Sequence, residues 1–274
     1  MCRAPPTSAR AQKSKTGATK ERIASSPKKK MTNGFVDDSK PATIMNRPMQ
    51  AAFALGMVVP FVVGMAVDPL GFERVGRWLS ESVRLFPTYA TSPLFVFAFL
   101  CLCVERACYT WVWVFTKTFE RFCSRLEKLG YKKKSDTPVD VIVSFFWVNK
   151  FFQYGGFALF YLLSGPFPAK ISAFPGLLGL SFLIVGQILN AGIYAAIGKN
   201  GVYYGCKFNQ RVPWCTGFPF NVVTAHPQYL GSVLTTFGAG LFLATDKHVT
   251  QGWLGLAAVQ AALYFYMAYV EHNL

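Results

Sequence analysis

Six stretches of the chain are almost purely apolar, and polar or basic segments of uneven length separate them. Met49–Val67 carries no charge over its whole length. Pro93–Phe115, Val141–Ser164, Phe174–Ile197, Tyr229–Ala244 and Trp253–Val270 follow it, with Glu105, Arg106 and Lys150 as isolated charges inside the second and third. At 1.5 Å per helical residue, runs of this kind match a hydrocarbon core about 30 Å thick. No backbone polar group can go unpaired there, so the pattern predicts helices throughout. The expected fold is all-α, a polytopic transmembrane helix bundle of about six spans. Residues 1–48 break the pattern. They are rich in Ser, Thr, Ala, Lys and Arg, with Lys28-Lys29-Lys30 as the densest cluster. Such a stretch buries too little apolar area to offset the entropy of ordering, which predicts a disordered basic tail. Its shortage of acids, with only Glu21 before Asp37, also resembles an organelle transit peptide.

Composition agrees with a lipid solvent. Hydrophobic residues make up 52% of the 274 and charged residues 15%, against about 25% charged in a soluble domain. The net charge of +15 would suit nucleic acid, but its distribution does not. Eleven of the 28 Lys and Arg lie in residues 1–48, and most others fall in short loops between apolar runs. That arrangement sets membrane orientation and attracts anionic lipid heads, so no nucleic-acid partner is expected. With the tail on the cytosolic side, the stretches on that side hold eleven, seven and three Lys or Arg; the opposite loops hold Arg74, Arg77, Arg84, Lys170 and Lys247. Twenty-one against five is a strong positive-inside bias. It places the loop after the fourth run, the start of the fifth and the end of the sixth on one face. The seven cysteines, at 2, 101, 103, 108, 123, 206 and 215, have no His partners at zinc-ligand spacing, which predicts free thiols and no metal.

Most of the unusual residue choices lie between Gly186 and Tyr229. Gly198, Gly201 and Gly205 follow directly on an apolar helix. They can let backbone amides approach a ligand, or they can form a helix C-cap and a flexible turn. Gly186, Asn190 and Tyr194 are spaced i, i+4, i+8 and share one helix face, where Asn190 needs a partner from a neighbouring helix or a ligand. His226-Pro227 reads as a helix start, whose free amides suit an anion. Glu271 ends the last apolar run, on the same face as His226 and the glycines.

Read in order, the chain shows Gly186-Gln187-Ile188-Leu189-Asn190, then Gly201-Val202-Tyr203-Tyr204-Gly205, then Pro213-Trp214 and Phe218-Pro219-Phe220, then Pro227-Gln228-Tyr229-Leu230-Gly231-Ser232. In these pieces it resembles the phospholipid N-methyltransferase family, in particular its plant-type members, over about residues 93–274 and best after 174. The first apolar run, 49–67, looks like an addition to that core, which leaves 93–274 as the expected methyltransferase unit. The resemblance implies an integral-membrane enzyme, expected in the endoplasmic reticulum with a mitochondrial or plastid membrane as the alternative. It implies transfer of methyl groups from S-adenosylmethionine to phosphatidylethanolamine or its methylated derivatives. The family's Gly-x-Gly falls on Ile184-Val185-Gly186 and its Glu-Glu pair on Val270-Glu271, so one residue of each remains, and the Arg that many relatives place before His-Pro is here Ala225.

On this reading Gly186, Asn190, Gly198, Gly201, Gly205, Arg211, His226 and Glu271 are expected to bind the methyl donor. Tyr203, Tyr204, Trp214 and Tyr229, with Lys199 and Lys207, are expected to contact the lipid head group. The aromatics can equally be interfacial anchors. His226 is the first candidate for proton acceptor and Glu271 the second. Glu105, Arg106 and Lys150 are expected to pair across the second and third helices. A steroid-type reductase is disfavoured by Ser232, where those chains carry an acid. A prenylcysteine carboxyl methyltransferase and a catalytically inactive lipid-binding membrane protein stand as the alternatives.

Overall fold

The computed structural model of the chain describes residues 47–213, 215, 217–223 and 226–274. Residues 1–46 of the expected tail lie outside the described residues, as do Trp214 and Ala225. The order is α1 (Arg47–Val67), α2 (Pro69–Arg84), α3 (Phe86–Tyr89), α4 (Pro93–Val114), α5 (Thr116–Lys128), α6 (Pro138–Ser164), α7 (Ala173–Val202), a 3-10 turn (Gly205–Phe208), α8 (Pro227–Leu243), α9 (Asp246–Thr250) and α10 (Trp253–Asn273). All six apolar runs are helical.

Local chemistry sets the helix starts. Pro93, Pro138 and Pro227 each open a helix, where the missing N–H removes no bond. Ser92 caps α4 by accepting from the Phe95 amide at 3.2 Å. Thr137 and Asp140 form a reciprocal capping box at the head of α6. Asp68 serves two helices at once: one carboxylate oxygen accepts from the Gly71 amide at 2.7 Å and the other from the Phe174 amide at 3.2 Å. It thereby fixes the 109° bend between α1 and α2 and ties that corner to the start of α7.

By length and apolarity α4, α7 and α10 each suffice to cross a bilayer, and α1 with α2 does so only as a bent pair. This is fewer than the six spans expected. α6 carries Asp140, Asn149, Lys150 and Gln153 among its apolar residues. α8 has 17 residues, about 26 Å of helix. Both nevertheless run with the others in one bundle. α6 packs on α4, α7 packs on α1 and α8, and α10 packs on α4 and α8. Large apolar side chains such as Leu55, Phe97, Phe151, Leu163, Ile184 and Phe265 stay exposed around the outside. A belt of this kind needs lipid, not water, as its solvent.

The α7–α8 seam is the closest approach in the bundle, and glycine makes it possible. A β-carbon on Gly186 would lie 2.5 Å from the Gly231 carbonyl oxygen, and one on Gly179 would lie 2.7 Å from that of Gly238. Backbones meet directly at these points, as small residues allow in membrane helices. Two aromatic cores fill the rest. Trp78, Tyr89, Phe95, Phe160, Tyr161 and Trp253 pack at the end where α2 and α9 lie. Tyr109, Trp113, Phe119, Ile193, Tyr203, Phe208 and Met267 pack at the other. His248 is fully buried at the first end, with Nδ1 accepting from the Thr245 amide at 3.1 Å and Nε2 facing the Tyr161 carbonyl at 3.0 Å. Cys101, Cys103, Cys108, Cys123 and Cys215 are free thiols, whereas Cys206 is not among them. The described residues contain no cluster of His, Cys, Asp and Glu suited to a metal.

Candidate active site

At the second end, the C-terminal ends of α4, α7 and α10 meet the N-terminal ends of α6 and α8. The meeting point is Glu271, in the last full turn of α10, which is 8% exposed. The Tyr204 hydroxyl donates to its Oε1 at 2.8 Å, and the Tyr229 hydroxyl donates to the same oxygen. His226 brings Nδ1 to 3.5 Å from Oε2, and its ring stacks on that of Tyr229 with centroids 5.1 Å apart. Thus the loop leaving α7, the start of α8 and the end of α10 share one carboxylate.

Backbone strain supports this contact. Tyr204 (φ 59°) and His226 (φ 52°) both occupy the left-handed region, as does Asn209 outside the site. For a residue with a side chain this costs on the order of 1 kcal/mol, and such strain collects at functional sites. Gly198 makes the preceding break possible. At φ 62° and ψ −173° it interrupts α7 just beyond Ile197, and the chain turns across the bundle end.

A cavity of about 340 Å³ opens beneath the carboxylate and runs into the bundle. Its walls are largely aromatic, with Tyr109, Trp113, Tyr154, Tyr194, Tyr203, Tyr204, Tyr229 and Tyr264, and its polar groups include Asn190, Gln228, Ser232, His226 and Glu271. That is the size and character of a small-molecule site. Asn190 Oδ1 is buried without a hydrogen-bond partner, an acceptor left open. Burial holds the His226 imidazole below its ordinary pKa of 6.5, and the nearby Glu271 pulls it partly back up. The ring is therefore neutral at pH 7 and able to accept a proton.

The predicted site residues divide into two groups. Asn190, Gly201, Tyr203, Tyr204, His226, Tyr229 and Glu271 line the cavity. The others do not. Gly186 lies at the seam with α8 and makes close packing possible there. Gly198 faces open space, and Gly205 starts the 3-10 turn against Asn200. Lys199 is exposed and pairs with Asp140 of α6 at 2.6 Å. Lys207 lies with Nζ 3.9 Å from the centre of the Trp113 ring. Arg211 is exposed, and its carbonyl accepts from the Asn200 amide group at 3.4 Å. Trp214 is outside the described residues. Two of the three departures from the family pattern also find places, Ala225 lying outside the described residues: Ile184 is 52% exposed on the lipid side, and Val270 is 2% exposed in the aromatic core. Neither lines the cavity.

Part of the lining lies outside the residues that the sequence suggests for the site. Glu105, Arg106 and Lys150 do pair across α4 and α6, as expected, but they also face the cavity. The available signal was three charges in two otherwise apolar helices, which the protein must compensate somewhere. Tyr109, Tyr154 and Tyr264 gave no such signal, because aromatics are common along membrane helices.

Residues 175–274, which take in nearly all of α7, α8 to α10 and the whole Glu271 cluster, match the phospholipid methyltransferase family. The chain is also similar to a phosphatidyl-N-methylethanolamine N-methyltransferase of Arabidopsis thaliana, with 30% identity over 127 residues. That alignment covers 46% of this chain and 66% of the relative, just under two thirds of its length. No solved structure matches the chain.

Proposed function

We propose that this chain, whose residues 175–274 match the phospholipid methyltransferase family, methylates the amine of an ethanolamine phospholipid within the bilayer, with S-adenosylmethionine as donor. The observation that carries the proposal is the buried Glu271, shared by Tyr204, Tyr229 and His226 above an aromatic cavity inside a lipid-facing bundle. The residues suit the donor, which carries both an ammonium and a sulfonium. Glu271 supplies an anion, Asn190 Oδ1 an unpartnered acceptor, and the surrounding rings supply negative faces for cations. Asn190, Glu271 and the backbone near Gly201 would hold it. When bound, S-adenosylmethionine supplies a methyl carbon on a positively charged sulfur, and the sulfur departs as a neutral thioether.

The chain's own task is to present a neutral amine in line with that methyl carbon and to keep water out. Tyr204, Tyr229, Trp113 and Tyr109 confine the head group, which is an orientation effect. The lipid amine is protonated in water at pH 7 and must lose a proton before its lone pair forms the new C–N bond. His226 takes that proton on its ring, which burial keeps neutral. Glu271 Oε2, at 3.5 Å, then stabilises the imidazolium. The aromatic walls hold the product, whose charge is fixed once the nitrogen is quaternary.

The name of the Arabidopsis relative points to the monomethyl lipid as the preferred acceptor, and the family match favours a phospholipid over a prenylcysteine. The endoplasmic reticulum is the membrane we infer. The test is expression in a host that lacks phosphatidylcholine, supplied separately with ethanolamine and monomethylethanolamine. Phosphatidylcholine should appear with monomethylethanolamine. If neither supplement yields a lipid methylated beyond the amine supplied while the protein is present in the membrane, the proposal fails.

A further inference from the structure

The cavity holds a second polar centre that the proton and methyl steps do not use. Glu105 and Arg106 of α4 and Lys150 of α6 line it. Lys150 lies in the middle of its helix, about 18 Å along from Pro138. Glu105 is fully buried and meets Lys150 Nζ and Arg106 Nη2, each at 2.8 Å. Lys150 also donates to Gln153 Oε1 at 2.6 Å. Two cations therefore share one carboxylate, which leaves one surplus positive charge in a water-poor interior. A surplus of that kind is costly unless something compensates it.

A second observation shows where the compensation belongs. Arg106 is 4% exposed, and its buried Nε has no hydrogen-bond partner. The guanidinium is held 4.1 Å from the centre of the Tyr264 ring and 5.0 Å from that of Tyr109. Ring faces steady the cation without satisfying the donor. An unpaired buried donor beside a surplus charge, both at the cavity wall, fits an anionic oxygen ligand. Among the described residues, Arg106 and Lys150 are the lysines and arginines that line the cavity.

We propose that Arg106 and Lys150 form the seat for the phosphodiester of the lipid substrate, an inference that rests on the function proposed above. The Arg106 Cζ lies 5.9 Å from the centre of the Tyr229 ring, and the Tyr229 hydroxyl reaches Glu271. A positive seat and a negative carboxylate thus flank one aromatic ring. An ethanolamine phosphate, with its opposite charges two carbons apart, is the complementary zwitterion, phosphate inward and amine toward Glu271.

The acyl chains have a way out. α6 packs on α4 and α7 packs on α1 and α8, while α6 and α7 stand apart along most of their length. The Lys199–Asp140 pair and the Phe146–Tyr203 ring contact join them at the site end. Deeper in, Tyr154 of α6 and Tyr194 of α7 line the cavity and are still 60% and 46% exposed. The cavity therefore opens sideways between these helices, onto the apolar belt. Lys199 and Lys207, the head-group cations expected from the sequence, do not line it, which moves the phosphate contact from the loop to the bundle interior.

The test measures binding, not turnover, on the full chain in detergent micelles. The ligands are phosphatidyl-N-methylethanolamine and its phosphate methyl ester, which has the same amine and chains but an uncharged phosphorus. Wild type should prefer the diester by about tenfold to a hundredfold, the range expected for a charge-assisted hydrogen bond. Lys150→Met leaves Glu105 and Arg106 as a neutral pair and should erase most of that preference, whereas Lys150→Arg should keep it. Equal binding of the two lipids by wild type overturns the proposal, and this arm needs no variant to fold. Calorimetry with S-adenosylmethionine supplies the other control: if Lys150→Met weakens donor binding and leaves the lipid preference intact, the seat belongs to the donor carboxylate and the proposal fails. A wild type that prefers the diester but binds no donor would instead remove the methyltransferase reading alone.

Discussion

In the mechanism proposed above Glu271 and His226 divide one task between them, and their separate contributions can be measured. Glu271→Gln keeps an acceptor for the Tyr204 and Tyr229 hydroxyls but removes the charge opposite His226. Turnover in membranes with labelled donor should fall on the order of a hundredfold, the scale of losing one electrostatic stabiliser. Wild-type turnover would take Glu271 out of the mechanism. For His226 the pH profile is the sharper readout. Its pKa lies below 6.5 because burial disfavours the cation. kcat should therefore stay level through neutrality and decline only as acid protonates the ring at a pH below 6.5. Stability carries the same sign. The unfolded chain holds the extra proton first, so this contribution is complete above 6.5 and is lost as pH falls through the folded value. A profile that bends above pH 7 would point to another acceptor.

At the scale of elements, the α7–α8 seam should tolerate almost no added volume. A β-carbon on Gly231 would sit 2.8 Å from the Gly186 carbonyl oxygen and 2.9 Å from Asn190 Oδ1. Gly231→Ala should lower stability by about 1–3 kcal/mol, the cost of overpacking, read as a lower Tm in detergent. Gly56→Ala, where nothing lies within 4 Å, should leave Tm unchanged or slightly raised. Equal shifts for both would deny the seam its role. The apolar runs made six helices legible in the sequence, because the hydrocarbon requirement acts on every residue of a run. α2 and α5 are not legible in this way, and the sequence suggests polar, basic loops where they form. Each buries only a narrow stripe, Gly71, Trp78 and Ser82 in α2 and Phe119 and Cys123 in α5. Both are amphipathic, with charges such as Glu73, Arg74 and Arg77 in α2 and Glu120, Arg121 and Arg125 in α5 interleaved among the apolar residues, so neither forms the continuous apolar run by which the other helices are recognised. The site was legible where residues cluster in sequence, as in His226 to Tyr229. It was not legible at Arg106, whose neighbours Tyr109, Tyr229 and Tyr264 come from three helices. Gly186 misled for a related reason: a glycine on a polar helix face serves a ligand or a neighbouring helix equally well, and only the position of α8 decides.

At the scale of the whole molecule, the Glu271 cluster fixes the relation of the chain's segments to the membrane. Tyr204, His226 and Glu271 can touch only if the exit of α7, the entry of α8 and the exit of α10 lie on one side. Cysteines placed at Lys207 and Leu274 should therefore be labelled by an impermeant reagent from the same face, and a cysteine at Lys247 from the other. Labelling of Lys207 and Leu274 from opposite faces would rule out the shared carboxylate in the membrane. The sideways opening between α6 and α7 has a further consequence, for kinetics. A substrate that enters from the plane of the bilayer is encountered in two dimensions, so the bulk amount of lipid in the tube is the wrong variable. The rate should follow the mole fraction of acceptor lipid in the membrane, falling when inert lipid dilutes it at constant total amount and staying level when the whole suspension is diluted with buffer. Such a protein would respond to the composition of its own membrane before any soluble signal reached it.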